Sequence, residues 1–156
     1  MDIMKKLLLI LLALTAWAGC TKSNVLRTKD LTYTGCATST DTRAAEDGRI
    51  ESILTLKYED GNLRVTRTNT LVNCSFQDYG LACTVSIEGN IIHYTVEAKP
   101  SPDGSDTNCL CQVETVSSLV TGLEPGKEYS FHYIPSQGIP SVTFVFKEGL
   151  YLIQGQ

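Results

Sequence analysis

Two histidines are all that this chain of 156 residues offers. General acid–base and triad chemistry need a histidine held by a partner in a cleft. His93 alternates away from Ile92 and Tyr94, and His132 away from Phe131 and Tyr133, so both are expected on outer strand faces. Neither G-x-S-x-G, nor H-E-x-x-H, nor a phosphate-cradling glycine loop is present. The chain is therefore not read as an enzyme, and no cofactor or metal is expected. Helical periodicity of useful length is missing too. So is any apolar run of the roughly 20 residues that a membrane helix needs. Basic residues are outnumbered, 13 against 17 acidic ones, for a formal charge of −4. A modestly acidic surface disfavours nucleic acid and anionic headgroups.

What is present begins with an address. Residues 5 and 6 are lysines, residues 7–16 are an apolar run, and Trp17-Ala18-Gly19-Cys20 follows. That is the layout of a signal peptide over residues 1–19. Its end resembles a bacterial lipobox, with Ala18 and Gly19 in place and Trp17 where an aliphatic residue is usual. The resemblance implies cleavage before Cys20 and acylation of its thiol, palmitate included. Each buried methylene adds roughly 0.8 kcal/mol, so two or three chains anchor firmly in a lipid bilayer. Thr21, rather than Asp, after the cysteine implies sorting to the outer membrane, with the periplasmic and cell-surface faces both open. Removing 19 of the 156 residues leaves 137, enough for one domain, and losing Asp2, Lys5 and Lys6 takes the charge from −4 to −5.

Five further cysteines are candidates for disulfides: Cys36, Cys74, Cys83, Cys109 and Cys111. Export brings them into an oxidising compartment, where bridges are the default. Five is odd, so one stays free or pairs between molecules. Any of the five could be that one, and the other four pair in three ways. Cys109 and Cys111 open a strand, so their thiols should point to opposite faces and reach different partners, such as Cys74 and Cys83. A zinc site from Cys74, Cys83, Cys109 and Cys111 and a redox role for Cys109 and Cys111 are the competing readings, although C-x-C is tighter than the usual C-x-x-C.

Residues 20–30 are polar without periodicity and read as the lipidated cysteine and its tether. Residues 31–156 read as one domain of seven or eight short strands. Ser52, Leu54, Leu56 and Tyr58 alternate, and Glu59-Asp60-Gly61-Asn62 turns the chain back. The alternation slips at residues 67–70, where a bulge is expected. Residues 83–87 and 92–98 flank Gly89-Asn90 as a second hairpin. Residues 37–48 are a loop, with one helical turn possible at 42–46. The oxygens of residues 103–108 fit a hydrophilic turn better than a calcium loop. The stretch 109–133 is strand, corner, strand: Val116, Ser118 and Val120 share a face, and Tyr129, Phe131 and Tyr133 share the next. Between them Leu123, Pro125 and Tyr129 are spaced L-x-P-x-x-x-Y. In sandwich domains a tyrosine at this place bonds back to the corner backbone.

That corner resembles the E–F corner of fibronectin type III and other immunoglobulin-like domains. It implies an all-β, antiparallel sandwich of that kind. Asn69, Asn73 and Cys74, with Cys109, Cys111, Gly122, Leu123, Gly126 and Tyr129, are also similar to small cysteine-containing lipoproteins of Gram-negative bacteria. Those are largely of unknown function, so the resemblance implies a fold and a location. The resulting expectation is an outer-membrane lipoprotein of the cell envelope, presenting a disulfide-stapled sandwich as a binding or structural module. Its partner would be a protein or a glycan. The alternative is an envelope enzyme or thiol-redox accessory using Cys109 and Cys111. Tyr79 and Tyr151 are the tyrosines least committed to a core face.

Overall fold

The computed structural model describes residues 25–37, 51–104, 109–135 and 138–155. The signal peptide, Cys20 and its tether up to residue 24, the possible turn at 42–46 and residues 105–108 lie outside the described residues. Among the described residues nine strands form: β1 (Arg27–Tyr33), β2 (Ile53–Glu59), β3 (Asn62–Asn73), β4 (Leu81–Glu88), β5 (Ile91–Ala98), β6 (Leu110–Thr121), β7 (Glu128–Ile134), β8 (Val142–Val145) and β9 (Tyr151–Gly155). One short helix, α1 (Phe76–Tyr79), interrupts them. The strands make two sheets, β1-β6-β3-β2-β9 and β4-β5-β7-β8. The fold is an all-β sandwich, as the alternation requires.

Local chemistry explains the turns. Asp60 and Gly61 both take positive φ, 49° and 79°. That matches the twist of a two-residue hairpin joining β2 to β3. Gly89-Asn90 joins β4 to β5 in two residues as well, with only Gly89 at positive φ, 62°, and Glu88 opposite Ile91. Gly122 sits at φ 96°, and a Cβ there would meet the Val25 carbonyl oxygen at 3.0 Å. Glycine thus lets the corner pass close to the chain entering β1.

The inner faces carry Leu54, Leu56, Leu63 and Val65 from one sheet, and Ile92, Tyr94, Phe131 and Phe144 from the other. Burying each such side chain contributes roughly 1.5–3 kcal/mol. Phe146 closes the core against Tyr58, their ring centroids 5.2 Å apart.

Three details depart from expectation. Residues 27–30, read as tether, are the first half of β1. Its two faces are largely exposed, so it shows no apolar alternation, and main-chain bonding to β6 holds it. The slip at residues 67–70 is not a bulge. Pairing of β3 with β6 keeps one register on both sides, Thr68 with Thr115 and Thr70 with Val113. Instead Asn69 adopts φ 53°, and both strands exchange core-facing parity there, from Val65 and Arg67 to Thr70 and Val72. Lastly, β5 and β7 pair in parallel, while every other described strand pair is antiparallel. The chain visits the other sheet as β6 between them and returns in the same direction.

Candidate functional site

The cysteines set one end of the sandwich. Cys74 bridges Cys109 and Cys36 bridges Cys111, with Cα atoms 5.3 and 5.7 Å apart. The two sulfurs of the C-x-C thus point to different partners, as alternation demands, and are not joined to each other. Three of the four cysteines of the zinc reading are consumed as disulfides. Cys83 is the odd thiol, half-buried on β4. Its sulfur lies 3.6 Å from the Ser118 hydroxyl, and Ser118 is 2.7 Å from the Tyr94 hydroxyl. Burial pushes the Cys83 thiol up against the pull of these hydroxyls, opposite to an activated thiolate.

Beside the Cys74–Cys109 bridge, sheet pairing leaves a gap. Lys99 N–H donates to the Gly80 carbonyl. Leu81 and Ala98 are therefore opposed without exchanging bonds, and Ala98 turns its own N–H and C=O away from β4. On that other side, Ser130 N–H donates to Asn90 O, so the even-numbered residues of β5 are those that face β7. Among the described residues the β5–β7 ladder ends at Thr95 opposite Ile134, and the carbonyl of the next residue, Pro135, is taken by Arg67. Beyond that point Ala98 directs a donor and an acceptor into a strand lane that no described residue of β7 fills.

The lane opens into a cleft of about 600 Å³ lined by Leu71, Val72, Val96, Ala98, Pro100, Leu110 and Pro135, with Asn73, Ser75 and Glu97 as its polar margin. Leu110 is 72% and Leu71 42% exposed. Asn73 accepts the Ser75 N–H through Oδ1, which fixes the margin where β3 ends. Its volume falls within the range of ligand sites.

One wall is held from inside the core. Arg67 is wholly buried. Its Nη1 donates to the Pro135 carbonyl at 2.8 Å and its Nε to Ser52 Oγ at 2.9 Å. Its guanidinium also lies over the Tyr133 ring, 4.4 Å from the centroid, a cation–π contact. Burial lowers the Arg67 pKa, partly offset by Tyr133. The Tyr133 phenol is pushed up to about 12 by burial, against the Thr70 hydroxyl and the Arg67 charge. No hydrogen bond of ordinary geometry reaches Thr70 Oγ1 or Tyr133 Oη.

At the opposite end, Leu123 is buried and Pro125 exposed. Tyr129 Oη accepts the Glu124 N–H at 2.9 Å, the bond expected of the corner tyrosine. His93 and His132 lie on the outer face of their sheet, half-exposed. The parallel pairing puts them side by side, ring centroids 5.4 Å apart, which no sequence pattern foretold. Arg67 was likewise missed. Its only trace was the faltering alternation at residue 67, which an inward-pointing cation explains. Among the described residues, no three histidine, cysteine or acidic side chains are grouped to hold a metal ion. Comparison with known proteins finds no matching family model, no matching curated protein and no matching solved structure.

Proposed function

We propose that this chain is a lipid-anchored cell-envelope protein whose sandwich is a binding module, and that the cleft beside Cys74–Cys109 receives an extended polypeptide segment. One observation carries the reading: the lane beyond Ile134 presents the main chain of Ala98, which no described residue of β7 pairs, between apolar walls. Main-chain groups in that setting are satisfied by a strand that continues the sheet, and neighbouring pockets select alternate side chains. A disulfide beside the gap and a buried arginine behind Pro135 keep the lane open before anything binds. Such preorganisation reduces the ordering cost of association. The lipobox supports Cys20 as the anchor and the outer membrane as the place.

A labelled hexapeptide of alternating valine and threonine serves as probe. On binding, the Ala98 amide should become protected from hydrogen exchange, and Leu110→Lys should weaken binding about tenfold or more. Binding that leaves Ala98 exchange and the Leu110→Lys affinity unchanged would place the site elsewhere. Mass spectrometry of the mature N-terminus should find acylated Cys20. Protease added to intact cells then decides the face, since degradation means the cell surface and protection means the periplasm.

A further inference from the structure

Four strand edges bound the two sheets, and three of them are guarded. On β1 the charges of Arg27, Lys29 and Asp30 are joined by a register break between Lys29 and Thr32. The Cys83 carbonyl on β4 is taken by the Thr28 hydroxyl at 2.7 Å, and the strand's exposed side chains are Thr84, Ser86 and Glu88. Strand β8 is only four residues long. These are recognised ways of blocking edge-to-edge pairing. Strand β9 has none of them. It reads Tyr-Leu-Ile-Gln-Gly, with no charge and no proline, and is paired on one side only.

Its free side can be assigned. Tyr58 N–H donates to the Leu150 carbonyl. With Leu56 opposite Leu152 and Leu54 opposite Gln154, the even-numbered residues bond β2. Tyr151, Ile153 and Gly155 therefore direct their N–H and C=O outward. The same residues share the outer sheet face, where Tyr151 is 64% and Ile153 55% exposed. Apolar side chains and outward main chain thus coincide on one edge, where among the described residues only the Gln154 side chain, donating to the Gly155 carbonyl at 3.3 Å, takes one of those groups.

We propose that β9 pairs with β9 of a second copy of this chain, antiparallel about a two-fold axis through Ile153. Self-pairing fits the strand. The central pair is Ile153 with Ile153, and the flanking pair sets Tyr151 against Gly155, which has no side chain of its own to meet the ring; the Glu51 carboxylate lies 3.5 Å from where a Cβ would stand. In this register all three outward-facing residues form hydrogen-bonded pairs, about six bonds in all. The strand's own residues bring no like charges together, and the Glu51 carboxylate beside Gly155 of each copy lies at the end of the strand rather than at its centre. An isologous contact of this kind closes on itself as a dimer rather than growing into a fibre. The contact is short, so the dimer is weak and is best trapped covalently.

In a hydrogen-bonded antiparallel pair the Cα atoms lie about 5.5 Å apart, which suits a disulfide. The full-length chain carrying Cys83→Ser and Ile153→Cys, in detergent micelles under mild oxidation, should give a disulfide-linked dimer. The same chain with Glu88→Cys, on the edge of the other sheet, should not. Adding Tyr151→Lys should cut the yield from Ile153→Cys at least tenfold. Equal cross-linking from Ile153→Cys and Glu88→Cys would mean random collision and overturn the proposal. So would a monomeric Ile153→Cys chain, or one that in cells links to a different protein instead.

Discussion

Strand β6 is fastened differently at its two ends. Near Leu110 the neighbouring residues Cys109 and Cys111 are covalently tied to Cys74 and Cys36, which lie 35 and 75 positions away in sequence. Near Thr121 the chain runs into a corner closed by residues only five positions apart, with the Tyr129 hydroxyl on the Glu124 amide. The first end surrounds an open cleft and the second is packed shut. A buried leucine and a local hydrogen bond suffice where the core is filled. Where the sheet is left incomplete, cross-links replace the contacts that a missing strand would have made.

Breaking the long-range fastening should have the largest effect. Cys111→Ser releases Cys36 and reopens a long loop, a loss of about 4 kcal/mol in the chain-entropy view. Calorimetry should show a melting temperature about ten degrees lower. Under reducing conditions the difference should vanish, and persistence there would mean the bridge contributes only packing. At the corner, Leu123→Ala should cost about 3 kcal/mol through the cavity it leaves. Urea denaturation should find this loss equal in oxidised and reduced protein, which separates the two ends.

The alkaline limb of stability sharpens the comparison, because it belongs to the cleft side. Tyr133 is raised to about 12 from an ordinary value of 10, and Tyr94 is raised as well. Both phenols are kept neutral in the fold. Their contribution is fully present below pH 10 and is lost as the unfolded chain ionises first above it. For Tyr133 the loss approaches 2–3 kcal/mol by about pH 12. Tyr133→Phe should flatten this limb in pH-dependent denaturation, and an unchanged limb would assign it to other groups. The smallest effect is expected from Tyr129→Phe, which leaves the Glu124 amide without its partner for about 1 kcal/mol. A loss several times larger would show that the hydroxyl organises the corner as a whole.

The corner was legible because everything it needs lies within a few residues: Leu123 to fill, Gly122 and Gly126 to bend, Tyr129 to bond. Both hairpins were legible for the same reason. Of edge strand β1 only the end from Leu31 was legible, because a strand exposed on both faces carries no alternation. Arg67 was not, because a buried arginine looks like any surface arginine until Ser52, Pro135 and Tyr133 are brought around it. The cleft was invisible for a further reason. It lies where the described ladder of β5 and β7 ends, at Thr95 opposite Ile134, and a ladder's end depends on which strands become neighbours.

By itself the sequence determined the all-β class, the turns, the corner and the oxidisable cysteines, since these follow from period, φ preference and residue chemistry over short spans. Which cysteines joined, which of the polar residues went inside and which edges remained bare were decided only by the tertiary structure. Those outcomes depend on which strands become neighbours, and the parallel meeting of β5 and β7, which sets His93 beside His132, comes from the order in which the chain crosses between two sheets.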